Sequence, residues 1–270
     1  MLYRIKPRVT VDCVLMFGQS NITGADDAAP DSSYLGVQPH TKILYKNGGT
    51  FSSDINCLWQ SYIFGVNNYI SGSASWVGAD VSLGKTYYDL TGRDLWIIKY
   101  GYGGSNLVDV GVSSPNGIWQ WDANLANCNG LPHYTNVRDG FLFPAISRAK
   151  ANGIDLNIKG LDWMQGESEA LGGTGYLTYE TTLISLIDKF VSDLTPLGVL
   201  SSTFKPIISR INGPGRIYRT EIRTALVNVA NHYSAPWIDN DSYGLYDSVH
   251  YNTAGQVQRG IDIATILASL

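Results

Sequence analysis

The sequence predicts an α/β fold in which a parallel sheet of about five strands is covered by helices on both faces. Two observations lead to this prediction. Short apolar runs alternate along the chain with segments of helical periodicity, an order typical of parallel sheets with crossover helices. The runs are also almost continuously apolar, as expected of strands that are buried on both faces.

Each predicted element follows from a local pattern. Apolar runs bounded by Gly or polar residues predict strands, and these cover 11–17, 94–101, 158–164, 205–211 and 236–239. Apolar residues spaced i, i+3, i+4 predict helices, and these cover 138–152, 177–194, 216–233 and a last segment that begins at Thr253. Thr253 is a favourable N-cap for that last helix. A further helix is expected around 57–70.

The length and composition favour one domain spanning residues 1–270. The chain has 44% hydrophobic and only 16% charged residues, which is sufficient for a sizeable core. Two stretches, about 24–93 and 105–137, are rich in polar residues and weak in periodicity, so we interpret them as loop-rich insertions. Long loops in an α/β domain are usually functional.

Charge and hydropathy exclude two classes of partner. The net charge of −4 disfavours nucleic acid or an anionic membrane, because both need a basic face. No apolar run is long enough to predict a transmembrane helix. The first 17 residues place basic residues before an apolar segment, but Asp12 interrupts that segment and no small-residue cleavage site follows, so we interpret them as mature protein. The location is left open, including extracellular or virion-associated action.

The cysteines and histidines predict neither a disulfide framework nor a metal site, and no cofactor is expected. Cys13, Cys57 and Cys128 form no CxxC pair. Cys13 lies in an apolar strand and is interpreted as a core residue, whereas a Cys57–Cys128 bridge is left open. The four histidines lack the spacing of metal ligands.

Polar clusters follow four of the five predicted strands, and the first three contain glycine: GQSN at 18–21, GYGGSNL at 101–107, WMQGESEA at 163–170 and DSVHYN at 247–252. The fourth predicted strand is the exception. In open parallel sheets, ligands bind beyond the carboxyl ends of the strands. Four such clusters at one sheet edge therefore favour a functional site over four unrelated turns.

The residues in these clusters suit acyl transfer. Ser20 is a candidate nucleophile, and Asp247 and His250 have a spacing that allows a carboxylate to orient an imidazole. The backbone N–H groups of Ser20 and Gly104 and the side-chain amide of Gln165 are candidate donors to an oxyanion. A phosphate-binding loop is excluded, because neither GxxxxGK[ST] nor GxGxxG is present.

Together these motifs resemble those of the SGNH-hydrolase superfamily, and most of all its branch of sialate O-acetylesterases and carbohydrate esterase family 6, which includes acetylxylan esterases. The resemblance covers residues 11 to about 265. It implies a flavodoxin-like three-layer α/β/α sandwich and a metal-free serine esterase. It implies Ser20 as nucleophile, His250 as base and Asp247 as its orienting acid. The oxyanion donors would be Ser20, Gly104 and Gln165, supported by Gln19, Asn21 and Glu167.

The expected function is removal of O-acetyl groups from an acetylated polysaccharide or sialic acid through an acetyl-enzyme. Plentiful aromatic residues suit sugar rings, and substrate contacts are expected from Tyr102, Ser105 and Trp121. Met164, Ser105 and Ile22 depart from the usual motifs of the branch without removing a reacting group. Two alternatives stay open: an esterase or lipase for other acyl chains, and a non-catalytic carbohydrate-binding domain of the same fold.

Overall fold

A seven-stranded sheet lies at the centre of the protein. The structure is a computed structural model that describes residues 8–26, 28–45, 59–64 and 76–270. The strands are β1 Val9–Gly18, β2 Val37–Tyr45, β3 Gln60–Ile63, β4 Leu95–Gly101, β5 Ile154–Met164, β6 Leu200–Ser209 and β7 Trp237–Ile238. Their spatial order is β3-β2-β4-β1-β5-β6-β7. Only β3 runs antiparallel to its neighbour, so the prediction of a parallel sheet is confirmed with two more strands than expected.

The central strand β1 determines where the site forms. It pairs with β4 on one side and β5 on the other, and Gly18 at its end lies opposite Gly101 and Met164. Three parallel strands therefore end at the same level. The loops that follow them meet at one edge of the sheet.

Helices cover both faces of the sheet. They are α1 Ser20–Thr23, α2 Asp80–Thr91, α3 His133–Val137, α4 Phe143–Ala151, α5 Glu167–Leu171, α6 Tyr179–Leu194, α7 Arg219–His232 and α8 Thr253–Ser269. α2 and α8 pack against each other on one face. α6 and α7 pack together on the other face, and there Phe17 of β1 contacts Phe190 of α6. The three-layer α/β/α prediction is confirmed. Across the described ranges, no helix has the length and apolar character needed to cross a membrane.

The interpretation of 24–93 as a loop-rich insertion is wrong in part, because β2, β3 and α2 lie within it. β2 escaped prediction because some of its buried positions are polar. Gln38 and Thr41 are buried there, and Gln38 donates to the carbonyl of Val81. The helix predicted over 57–70 is also wrong where the structure describes it, since Gln60–Ile63 is a strand; residues 57–58 and 65–70 of that range lie outside the described residues.

Two helix boundaries differ from prediction. The helix expected over 138–152 begins earlier, at His133, and passes through a wide turn at Arg138–Leu142 before α4. The N-cap of α8 is Asn252 rather than Thr253, because the Asn252 side chain accepts the N–H of Gly255 at 2.9 Å. Cys128 is buried, and Cys57, its suggested partner, lies outside the described residues.

Candidate active site

A cavity of about 600 Å³ opens at the carboxyl ends of β1, β4 and β5. The lining residues are Gln19, Ser20, Gly103, Gly104, Asn106, Asn116, Glu167, Ser168, Leu171, Arg216, Val249 and His250. Each of the four clusters predicted from the sequence therefore reaches this cavity. Its volume lies within the range of small-molecule sites.

The close approach of β1 and β5 presents Ser20. A Cβ atom on Gly18 would lie 2.0 Å from the carbonyl oxygen of Met164, so only glycine fits at the end of β1. The next residue, Gln19, donates its backbone N–H to the same carbonyl at 3.1 Å. The chain then turns directly into α1, whose first residue is Ser20. The hydroxyl of Ser20 thus faces the cavity from a fixed strand end.

Ser20, His250 and Asp247 form one hydrogen-bonded chain. Ser20 Oγ lies 2.9 Å from His250 Nε2, and His250 Nδ1 lies 2.7 Å from Asp247 Oδ2. Because an ionised carboxylate only accepts hydrogen bonds, Nδ1 carries the proton when the ring is neutral. Nε2 is then the acceptor for the serine hydroxyl. This arrangement can remove a proton from Ser20 as its oxygen attacks a carbonyl carbon.

A tight loop holds the carboxylate of Asp247. Its Oδ1 accepts the backbone N–H groups of Val249 and His250, both at 2.7 Å. Partial burial opposes ionisation, but the hydrogen bonds from His250 and Val249 outweigh it and hold the pKa of Asp247 below its ordinary value. A backbone bond from Tyr246 N–H to the carbonyl of His250, 2.7 Å long, closes the loop. Asp247 is therefore a charged partner of fixed orientation.

Asn21 and Glu167 hold the loop that carries His250 in place through hydrogen bonds. Asn21 Nδ2 donates to Glu167 Oε1 at 2.6 Å and to the carbonyl of Val249 at 3.0 Å. Asn21 Oδ1 accepts the N–H of Tyr251 at 3.1 Å. The two residues that flank His250 in sequence are thus both bonded to one side chain. The sequence left open whether Glu167 acts near the histidine or the oxyanion loop, and its contact through Asn21 lies on the histidine side.

Two predicted backbone N–H donors, those of Ser20 and Gly104, belong to residues that line the cavity. Residues 102–105 form a turn closed by Ser105 N–H to the carbonyl of Tyr102 at 3.2 Å, in which Gly104 has φ +69°. That position of a type II turn requires positive φ, which glycine tolerates best. Among the described residues, neither the Ser20 nor the Gly104 N–H donates to another backbone carbonyl. Both remain available to a ligand.

The structure does not bring Gln165 to the cavity, so its prediction as an oxyanion donor is corrected. The side chain is fully buried, and its Nε2 donates to Glu169 Oε2 at 2.7 Å and to the carbonyl of Ser105 at 3.1 Å. Its Oε1 accepts the hydroxyl of Tyr179 at 2.9 Å. The amide of Gln165 therefore forms its hydrogen bonds inside the protein, where it links Glu169 of α5 to Ser105 in the loop after β4.

The three predicted substrate contacts also lie away from the cavity lining. Ser105 is fully buried, and its Oγ accepts the indole N–H of Trp119 at 3.1 Å. Tyr102 packs beside the ring of His133. Trp121 lies in a separate recess beside α6, where its indole donates to Ser185 Oγ at 2.8 Å. Of the supporting residues, Gln19 and Glu167 do line the cavity.

Asn106 and Arg216 are among the lining residues that the sequence analysis missed. Asn106 belongs to the GYGGSNL cluster, where attention went to the glycines. Arg216 belongs to the stretch NGPGR at 212–216, which follows β6. This stretch directly follows the fourth predicted strand, 205–211, for which no polar cluster was predicted. The two glycines and the arginine just beyond were the available signal.

A buried histidine holds the loop that carries Gly104 and Asn106. His133 Nε2 lies 2.7 Å from the carbonyl oxygen of Asn116, and its Nδ1 lies 2.9 Å from the hydroxyl of Tyr100. Because the carbonyl only accepts, Nε2 carries the proton and Nδ1 accepts from Tyr100. Burial lowers the pKa of His133 to about 4, so the ring is neutral near pH 7.

Among the described residues, no group of three or more His, Cys, Asp or Glu side chains is placed to hold a metal ion.

Comparison with known proteins identifies the family. A model of the carbohydrate esterase, sialic acid-specific acetylesterase family matches residues 10–269. The chain belongs to this family. The match spans nearly the whole sequence, so the esterase is a carbohydrate O-acetylesterase and not a member of an unrelated class that shares the fold. No curated protein matches the sequence.

Solved structures resemble the esterase in fold. An Arabidopsis thaliana protein superposes with a TM-score of 0.68 at 16% identity, covering 96% of this chain and 98% of that one. NanS gives 0.65 at 14% identity, with 98% and 97% covered. XAC1771, a carbohydrate acetylesterase from Xanthomonas citri, gives 0.64 at 13% identity, with 96% and 57% covered. At such identities the likeness concerns the fold alone.

Proposed function

We propose that the protein hydrolyses O-acetyl esters of carbohydrates through a Ser20–His250–Asp247 triad and an acetyl-enzyme intermediate. The observation that carries the proposal is the unbroken hydrogen-bonded chain from Asp247 through His250 to Ser20 inside the cavity. Membership of a carbohydrate esterase family supports the ester and its carbohydrate class.

In the first half-reaction, Ser20 Oγ attacks the acetyl carbonyl carbon while His250 Nε2 takes the hydroxyl proton. Asp247 stabilises the resulting imidazolium through Nδ1. The tetrahedral intermediate collapses, His250 returns the proton to the departing sugar oxygen, and the acetyl group stays on Ser20. In the second half-reaction, water gives its proton to His250 and attacks the acetyl-enzyme. Acetate leaves and Ser20 regains its proton.

The negative oxygen of each tetrahedral intermediate needs hydrogen-bond donors. The N–H groups of Ser20 and Gly104 supply two. We assign the third to Asn106 instead of Gln165. Asn106 lines the cavity, and its Oδ1 accepts the hydroxyl of Ser114 at 2.9 Å. Its Nδ2 forms no hydrogen bond to another described residue, so it is free to donate to the substrate.

The test is acetate release from O-acetylated sialic acid, acetylated xylan and 4-nitrophenyl acetate, measured for the wild type and Ser20→Ala in parallel. The proposal expects release from at least one acetylated sugar, and loss of that release in the variant. Equal rates in the two proteins would overturn the assignment of Ser20. Release from the nitrophenyl ester alone would overturn the carbohydrate part of the proposal.

A further inference from the structure

Arg216 lines the cavity that holds Ser20 and has no carboxylate partner among the residues that the structure describes. Three other arginines of the same region, Arg210, Arg219 and Arg223, all pair with Asp241, at 2.8, 3.6 and 2.7 Å. Within the described part of the chain, Arg216 has no carboxylate oxygen within 4.0 Å of its guanidinium. Asp241 thus pairs with the three other arginines, whereas Arg216 lines the cavity unpaired with any described carboxylate.

The backbone around Arg216 is fixed. Gly213 and Gly215 adopt positive φ values of 39° and 86°, and Arg216 N–H donates to the carbonyl of Gly213 at 3.2 Å. Two residues later, Tyr218 N–H donates to the carbonyl of Ala170 in α5 at 2.9 Å. The loop is thus tied to the helix that carries Glu167. Arg216 is held beside the reacting groups and does not belong to a free chain.

Glu167 is the only acidic side chain that shares this cavity lining in the described residues, and its carboxyl oxygens lie more than 4.0 Å from the guanidinium of Arg216. Its Oε1 is taken by Asn21 and the side chain is 3% exposed. Burial raises the pKa of Glu167, and this outweighs the opposite effect of nearby His250 and Arg216. The neutral form is therefore favoured more than in an ordinary glutamate. Among the described residues, the guanidinium therefore has no paired carboxylate, and it lines the cavity as a cation.

We propose that Arg216 binds the carboxylate of an acidic O-acetylated sugar whose ester lies at Ser20, so that the enzyme selects acidic over neutral substrates. The inference rests on the function proposed above. A planar guanidinium offers paired N–H donors that match a carboxylate, and a charged pair of this kind is stronger than a neutral hydrogen bond. A neutral acetylated sugar such as xylose offers nothing that requires an arginine.

Two classes of sugar carry such a carboxylate: sialic acids and uronic acids. The experiment measures kcat/KM for O-acetylated sialic acid, for its methyl ester, for acetylated polygalacturonate and for acetylated xylan. The methyl ester keeps the sugar and the acetyl group and removes only the negative charge. The ratio of kcat/KM for acid over methyl ester therefore isolates carboxylate recognition, and the higher of the two acidic activities names the source.

We expect that ratio to be well above one in the wild type and to fall roughly 10- to 100-fold in Arg216→Gln, the loss typical of a charge-assisted hydrogen bond. Arg216→Lys should retain part of it. Arg219→Gln is the matched control, because Arg219 is already paired and lies outside the cavity lining, and it should leave the ratio unchanged. A ratio near one in the wild type, or an unchanged ratio in Arg216→Gln, would overturn the inference.

A second measurement does not depend on the position of the acetyl group. Deacetylated sialic acid and its methyl ester are compared as inhibitors of 4-nitrophenyl acetate hydrolysis by the wild type. The acid should bind more tightly by a similar factor, and equal inhibition would again contradict a carboxylate subsite. Hydrolysis of the nitrophenyl ester, and its loss in Ser20→Ala, tests the proposed function separately, so failure of one proposal is distinguishable from failure of the other.

Discussion

Asn21 Nδ2 donates to Glu167 Oε1 at 2.6 Å and to the carbonyl of Val249 at 3.0 Å, so the side chain next to Ser20 is bonded both to α5 and to the loop that carries His250. The same Asn21 side chain bonds the residues on both sides of His250. The distance between the serine oxygen and the imidazole is therefore set by a buried side chain that takes no part in the chemistry. Glu167 acts in this scheme as a positioning residue.

Glu167→Ala should lower kcat roughly 10- to 100-fold with little change in KM, because a displaced His250 no longer meets the serine hydroxyl correctly. Glu167→Gln keeps an oxygen that accepts from Asn21 Nδ2, so it should restore most of the rate. The measurement is steady-state kinetics on 4-nitrophenyl acetate for both variants. Equal losses in Ala and Gln would show that the charge of Glu167 matters and that positioning through Asn21 does not explain its role.

The oxyanion site gives a paired prediction for Asn106 and Gln165. Asn106→Ala removes a free donor and should lower kcat about 10²- to 10³-fold with little change in stability. Gln165→Ala leaves buried acceptors on Glu169 and Ser105 without their donor, so it should lower the free energy of unfolding by about 1–3 kcal/mol. Urea unfolding and kcat for both variants test the pair. If Gln165→Ala shows the large loss of kcat at full stability, the assignment of Asn106 is wrong.

His133 predicts how stability depends on pH. Its pKa falls from 6.5 to about 4 on folding because of burial, so its contribution is fully present above pH 6.5. It is lost as pH falls from 6.5 towards 4, at about 1.4 kcal/mol per pH unit. His133→Gln removes this dependence.

Urea unfolding of the wild type and His133→Gln between pH 7 and 4.5 measures the difference in slope. Comparing the two proteins cancels the carboxyl groups that titrate in the same range. His232→Gln, at the exposed end of α7, is the control and should keep the wild-type slope. A wild-type slope in His133→Gln would show that the buried ring is not the group responsible.

The sequence predicted the three side chains of the proposed triad because their positions are local. Ser20 follows an apolar strand directly, and Asp247 and His250 lie on one turn, so spacing and strand order made them candidates, and the resemblance of the motifs implied their roles. Gln165 was misjudged for the opposite reason. It also follows a strand, but its amide is taken up by Glu169 and Tyr179, and Tyr179 is fourteen residues away along the chain. Whether a polar side chain at a strand end faces the cavity or is buried by other elements depends on tertiary packing. A single sequence does not reveal that packing.

The missed elements of the fold have a similar explanation. β2 lies near the edge of the sheet, where its buried Gln38 and Thr41 break the apolar pattern by which strands were recognised. Trp121 was assigned to the substrate on composition, yet its ring lies under Lys189 of α6. Aromatic side chains serve packing and sugar binding equally well, so their presence in a loop does not decide between the two.

The proposed mechanism requires that the Ser20 oxygen becomes acetylated. Acetylation can be measured directly by mass spectrometry of the peptide that contains Ser20, after turnover of 4-nitrophenyl acetate is quenched with acid. An activated ester makes acetylation fast, so the acyl-enzyme should accumulate. We expect an acetyl group on Ser20 in the wild type, and none there in Ser20→Ala or His250→Ala. Turnover with no acetyl group on Ser20, or undiminished turnover by Ser20→Ala, would contradict this mechanism.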